Sequence, residues 1–316
     1  MAQNLSKGTA ALICGSVAYD TILVFPDRFK AHILPDRLHT LNVSFLVPDM
    51  RREFGGCAAN IAYGLNLLGD RGIAMATAGD DFGPYRERML SQGLSVEHIK
   101  LIEGTFTAQA FITTDLDDNQ ITAFHPGAMQ LAHLNRVADA GSGVALGIVA
   151  PDGRQAMIEH AAQFAAASIP FMFDPGQGMP MFGGDELKTF IRQARWVAVN
   201  DYEWGMLQQK TGLTAAEVAS QVEALIVTMG SEGSVIYTGG STLTIPCAKP
   251  RAVVDPTGCG DAYRAGLIHG LLRGLDWETI GRTASLMGAI KIESRGPQNH
   301  RFTRTDFDQR YRDNFG

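Results

Sequence analysis

Short apolar, β-branched runs recur at residues 11–14, 73–78, 146–150, 171–173, 196–199 and 225–229. Several are separated by helix-length stretches such as 61–68, 155–167 and 215–223, in which apolar residues fall three and four apart. This alternation constrains the fold more than any other feature. Strands without polar alternation are covered on both faces, and strands joined through helices pair in parallel. The chain therefore predicts an α/β fold, a mostly parallel central sheet with helices on both faces. Ligands of such sheets bind beyond the carboxyl ends of the strands.

Two stretches, about 21–47 and 107–124, break the rhythm and read as period-2 strands joined by turns. In the second, Ala-Phe-Ile-Thr-Thr from Ala110 and Gln-Ile-Thr-Ala-Phe from Gln120 flank an Asp/Asn-rich loop, which predicts a hairpin. These strands are expected to form a small sheet standing off the main body, as a lid over a cleft or as an oligomer contact. The 316 residues suit a single domain carrying that lid, as a monomer or as a homodimer through the lid strands, whose open edge favours pairing.

With 45% apolar and 19% charged residues, the composition is that of a folded enzyme and not of a disordered chain. The net charge of -6 and the lack of a dense Lys/Arg run argue against a nucleic-acid partner. No cationic, apolar leader opens the sequence and no stretch of about 18 apolar residues follows, so a cytoplasmic protein without a membrane partner is expected. Cys14, Cys57, Cys247 and Cys259 form no Cys-x-x-Cys pair and read as free thiols.

The segment 254–267, Val-Asp-Pro-Thr-Gly-Cys-Gly-Asp-Ala-Tyr-Arg-Ala-Gly-Leu, carries the chemistry. Gly258 and Gly260 permit a tight turn, and Ala262, Ala265, Ile268 and Leu271 continue as an apolar helical face. A glycine turn feeding a helix N-terminus presents unpaired amides and the positive end of the dipole, a site for a phosphoryl group. Asp261, at the start of that helix, is placed to take a proton from an attacking hydroxyl while the amides hold phosphoryl oxygens. The bland alternative is a helix N-cap. The chain has no Gly-x-x-x-x-Gly-Lys-Ser/Thr motif, and no Gly-x-Gly-x-x-Gly follows the first strand, which disfavours a P-loop enzyme and a dinucleotide-binding oxidoreductase.

This segment resembles the C-terminal signature of the ribokinase-like, PfkB-type carbohydrate and nucleoside kinases. Four further stretches agree with it. Phe54-Gly-Gly-Cys-Ala-Ala-Asn-Ile-Ala is similar to the family's N-terminal Gly-Gly-x-x-x-Asn-x-Ala. Asn200-Asp-Tyr-Glu203 is similar to its Asn-x-x-Glu, Thr228-Met-Gly-Ser-Glu-Gly233 to its nucleotide loop, and Gly79-Asp-Asp-Phe-Gly83 is a weaker match. The resemblance runs from Gly15 to about Asn299 and implies a ribokinase-like fold and an ATP- and Mg2+-dependent kinase.

The resemblance also implies roles. Asp261 would be the base, with the Gly258, Cys259 and Gly260 amides around the transferred group. Asp20, Gly55, Gly56 and Asn60 would meet the substrate's sugar. Glu203 would hold Mg2+ through water, and Asn200, Thr228, Gly230 and Gly233 would shape the ATP site. Asp255, with the Thr257 carbonyl, resembles a position that binds a monovalent cation such as K+ in many relatives. Capped helices, turns and a β-hairpin account for the same residues in the bland reading.

A thiol at a helix start is expected to ionise readily, so Cys259 is expected to be alkylation-sensitive and protected by ATP. Gly176-Gln177-Gly178 stands after Phe173-Asp174-Pro175 where many sugar-kinase relatives carry Asn and Arg, which disfavours a phosphosugar. The hairpin and residues 50–63 resemble bacterial adenosine kinase and other nucleoside kinases of the family. Phe111 and Phe124 are expected to wall a purine with Gln109 as a polar reader, or else to form lid core, and Asn299 to border the adenine or cation site. Adenosine phosphorylation is the favoured function. A kinase for free ribose or fructose and a non-catalytic nucleotide-binding regulator are the alternatives.

Overall fold

The uninterrupted apolar runs become the middle of a wide sheet because their side chains have cover on both sides. The computed structural model describes residues 9–33, 42–117 and 119–316. Its strands are β1 (Ala10–Cys14), β2 (Ala18–Val24), β3 (Asp49–Gly55), β4 (Arg71–Ala78), β5 (Ile99–Leu101), β6 (Ala108–Thr114), β7 (Gln120–His125), β8 (Val144–Val149), β9 (Phe171–Phe173), β10 (Trp196–Asn200), β11 (Ala224–Thr228), β12 (Ser234–Thr238) and β13 (Ser241–Ile245). Its α-helices are α1 (Phe29–His32), α2 (Cys57–Leu67), α3 (Gly83–Ser91), α4 (Arg154–Ala166), α5 (Gly184–Gln193), α6 (Asp201–Thr211), α7 (Ala215–Ala219), α8 (Cys259–Leu272), α9 (Trp277–Ile292) and α10 (Arg304–Phe315).

Among the described residues, nine strands form one sheet in the order β13-β12-β11-β10-β9-β8-β1-β4-β5. The pairs from β11 to β5 are parallel, and the pairs β11–β12 and β12–β13 are antiparallel. Side-chain alternation divides the core. Ala11 and Ile13 of β1 join α2, α8 and α9 on one face through Ile61, Leu65, Ile268 and Ile280. Leu12 and Cys14 join α4, α5 and α6 on the other through Met157, Phe164, Phe190 and Leu207. The expected α/β architecture is the one the chain forms. The helix expected over 215–223 ends at Ala219, with Ser220 as its C-cap, because the following residues must turn into β11.

A second sheet runs in the order β3-β2-β6-β7. Its central pair, β2 and β6, is parallel and both outer pairs are antiparallel. Its β3 lies beyond the 21–47 stretch, of which 34–41 fall outside the described residues. The hairpin closes with Thr114 opposite Gln120. One buried carboxylate explains its acidic loop: Asp115 accepts from the Phe29, Asp117 and Asn119 amides, each at 2.9 Å.

Candidate active site

The carboxyl ends of β1, β8, β9, β10 and β11 open on one edge of the main sheet, and the start of α8 lies among the loops there. Gly258 caps α8 with φ +81°, and a Cβ on it would stand 2.7 Å from Pro297 Cβ, so the turn requires glycine twice over. At Gly260 a Cβ would meet only Arg264 Nη1, at 3.9 Å. Among the described residues the Gly260 and Asp261 amides find no backbone acceptor. The first turn of α8 is thus an open set of donors at the positive end of a 14-residue helix.

Asp261 is half-buried beside those amides. Asn60, on α2, donates Nδ2 to Asp261 Oδ2 at 2.8 Å. Asn60 Oδ1 accepts from Gln298 Nε2 at 2.9 Å, which also donates to Tyr85 Oη at 2.7 Å. Tyr85 in turn donates to the Gly55 carbonyl at 2.5 Å. Burial pushes the Asp261 carboxyl up, Asn60 pulls it down, Asp174 adds repulsion and Arg264 relieves it, leaving it at about 6. Asp20, on β2, is likewise pushed up to about 6 by burial and then by Asp261, Glu53 and Asp255. Its Oδ2 lies 2.6 Å from where a Gly55 Cβ would be. Gly56, at φ +90°, runs so close to residues 16–18 that a Cβ would reach the Ser16 carbonyl oxygen at 2.5 Å. The structure therefore gathers Asp20, Gly55, Gly56, Asn60 and Asp261 in one place.

Behind Asp261 lies an ion pair that sequence reading missed. Arg264 on α8 forks onto Asp174, after β9, at 3.1 Å and 3.0 Å, with both side chains under 8% exposed. Glu203 stands near enough for Asp174 to push its carboxyl up further, after burial itself. The available signal was an Arg within the apolar face of 262–271. Asn200 and Glu203 form a reciprocal helix cap: Asn200 Oδ1 accepts the Glu203 amide at 2.7 Å, and Glu203 accepts the Asn200 amide at 2.8 Å and its Nδ2 at 2.9 Å. Asn200 pairs with Thr228 at adjacent strand ends. Residues 230–232 turn between β11 and β12, closed by Met229 N donating to the Gly233 carbonyl at 2.8 Å.

The Asp255 carboxylate serves its own loop, accepting the Thr257 amide at 2.9 Å and the Gly296 amide at 2.8 Å. Burial raises this carboxyl, but those amides outweigh it and hold it below the ordinary range. The expectation for Cys259 is corrected. Burial, against relief from Lys291 and with added repulsion from Asp255 and Asp261, pushes its thiol up to about 11. Iodoacetamide at pH 7.5 is therefore expected to leave Cys259 unmodified over a period that fully alkylates free cysteine, which peptide mass spectrometry checks.

The register also corrects the purine wall. Phe124 pairs with Ala110, which neighbours Asp20, whereas Phe111 pairs with Ala123 and neighbours Thr21. Directly opposed residues share a face, so the two phenylalanines lie on opposite faces of the small sheet. They cannot sandwich one base within a single chain. Gln109 is buried on the Phe111 side and donates Nε2 to Thr21 at 2.7 Å. Phe124, 52% exposed, shares its face with Asp20. Asn299 bonds to Glu53 of β3 and to Arg88 of α3, at 3.1 Å and 2.8 Å, and joins the small sheet to the C-terminal segment.

The chain matches the pfkB family of carbohydrate kinases over residues 17–304. A nucleoside kinase of Methanocaldococcus jannaschii is 31% identical over 261 residues, covering 82% of this chain and 85% of the relative. Among solved structures, Burkholderia thailandensis nucleoside kinase in complex with inosine superposes with a TM-score of 0.88 at 51% identity, covering 97% of this chain and 98% of that one. The same enzyme in complex with ADP and inosine gives 0.85 at 53% identity, covering 97% and 96%.

Proposed function

Because the chain belongs to the pfkB family of carbohydrate kinases, an ATP-dependent family, we propose that it transfers the γ-phosphoryl group of ATP to the 5'-hydroxyl of a nucleoside, with adenosine as the preferred substrate. The observation that carries this reading is the Asp261 carboxylate, held by Asn60 at 2.8 Å beside the open amides of α8. The likeness to a nucleoside kinase that binds inosine supports a nucleoside over a free sugar.

Asp261 takes the proton of the attacking hydroxyl as its oxygen bonds to the γ-phosphorus and the bond to the ADP oxygen breaks. The open amides of Gly260 and Asp261 neutralise the moving phosphoryl group, while the Cys259 amide is already held by the Pro256 carbonyl. Asp20, backed by Gly55, binds the ribose hydroxyls, and Phe124 borders the base. Asn200, Thr228 and the 230–233 turn line the nucleotide. Among the described residues no three His, Cys, Asp or Glu side chains converge on a metal position. Glu203 would hold Mg2+ through water, and the ion would supply charge neutralisation at the transferred phosphoryl group. The small sheet acts as the lid of a single kinase domain, and the exposed strand β7 offers an edge for a second copy. Among the described residues no helix is long and apolar enough to cross a membrane.

Purified protein with Mg-ATP and a panel of nucleosides and free sugars tests the reading through ADP release. Turnover with adenosine is expected; turnover with sugars alone overturns the substrate, and ligand binding without turnover overturns the enzyme. A pH profile follows as well. The base works only when ionised, and the Asp20 and Asp261 carboxyls both lie at about 6, so kcat/KM should fall as pH drops through that value. Asn60→Ala removes the donor that stabilises ionised Asp261. The acid limb should then move up by about one to two pH units, the worth of a hydrogen bond to a charged group, and kcat/KM at pH 7 should fall by about twofold to fifteenfold as the ionised fraction drops. An unshifted limb would separate Asn60 from the base.

A further inference from the structure

Lys291, in the last turn of α9, is fully buried. Among the described residues its ammonium has no carboxylate within ion-pair distance. It donates instead to two backbone carbonyls, Asp255 at 2.7 Å and Ser294 at 3.0 Å. Buried charge without hydrogen-bonded or charged partners is costly, so carbonyl dipoles must hold this one. The same two loops are tied again above it: Val254 N and Asp255 N donate to the Ile292 carbonyl at 2.9 Å and 3.1 Å, and Gly296 N donates to Asp255 Oδ2 at 2.8 Å. The loop so fixed runs directly into Gly258 and the open amides of α8.

This donor set does not fit an exchangeable monovalent cation. The Asp255 carboxylate is engaged by the Thr257 and Gly296 amides, and the Asp255 carbonyl by the ammonium. A K+ ion at the Asp255 carbonyl would have to displace the fixed ammonium that already occupies it. We propose that Lys291 is a built-in monovalent cation: a positioning residue whose ammonium organises the loop 255–258 beneath the phosphoryl site and makes turnover independent of K+. The inference rests on the kinase reading above, and it assigns that reading an ion requirement.

The test compares K+ with choline at constant ionic strength, in ADP release with adenosine and in thermal melting. The wild-type protein should turn over equally in both salts, within about twofold, and should melt at the same temperature in both. Lys291→Ala opens room at the carbonyls. In choline its kcat should fall by at least about tenfold, recovering in K+ or NH4+, and its Tm should rise in K+ but not in choline. Lys291→Met, uncharged but filling the space, should lose activity without rescue. Stimulation of the wild type by K+ of tenfold or more, a K+-specific rise in its Tm, or an alanine variant equally impaired in both salts would overturn the proposal. If the variants do not fold, the wild-type comparison decides alone. Absence of turnover under every condition counts against the kinase reading, and the melting comparison still decides the ion.

Discussion

Replacing Asp261 by Asn is expected to lower kcat by about 10²- to 10⁴-fold, the range for loss of a positioned general base, while the dissociation constant for ATP changes little. The asymmetry follows from the site. The amides of the α8 start are backbone groups and survive the substitution, so an anion still has its donors. What is lost is the acceptor for the hydroxyl proton. Asn keeps the size of Asp and can still meet Asn60, so a large structural loss is not expected. Single-turnover phosphoryl transfer and calorimetric ATP binding check the two halves separately. A variant retaining more than a tenth of wild-type kcat would remove Asp261 from the chemistry.

The second large effect is on stability. Arg264→Met should lower the unfolding free energy by about 3–5 kcal/mol, the cost of stranding one member of a buried ion pair. Asp174 would be left buried without its fork, next to Asp261 and Glu203, whose carboxyls it already pushes upward. The double variant Arg264→Met with Asp174→Leu should recover most of that loss, because no uncompensated charge remains. Urea unfolding of the two variants and the wild type measures this. A loss under about 1 kcal/mol in the single variant would mean that water already reaches the pair.

Much of this molecule was legible before its coordinates. Short apolar runs without alternation read as doubly covered strands, and those at 11–14, 146–150 and 196–199 stand in the sheet as β1, β8 and β10. The glycine turn and the following apolar helix were equally readable, since Gly258 has a backbone conformation that few other residues adopt. Three things were not. Which face of the small sheet carries Phe111 depends on register, and register is set by pairing across strands far apart in sequence. The ionisation of Cys259 depends on burial and on nearby Asp255 and Asp261, and a helix-start rule contains neither. Arg264 and Lys291 are charges in apolar helices, whose partners Asp174 and Asp255 lie 90 and 36 positions away.

The hydrogen-bond chain from Gly55 to Asp261 runs outward from Gln298 in both directions. Tyr85 spends its proton on the Gly55 carbonyl, so its oxygen must accept from Gln298, whose second proton goes to Asn60 Oδ1, leaving Asn60 Nδ2 to face Asp261. Gln298 donates on both sides, whereas Tyr85 and Asn60 each accept on one side and donate on the other, and no link can be reversed alone. Asn60→Asp, a change of one atom, would set two carboxylates face to face and leave Gln298 serving one of them. A substitution at one member therefore leaves a partner unpaired unless its neighbour changes with it, although these residues are scattered from position 55 to position 298.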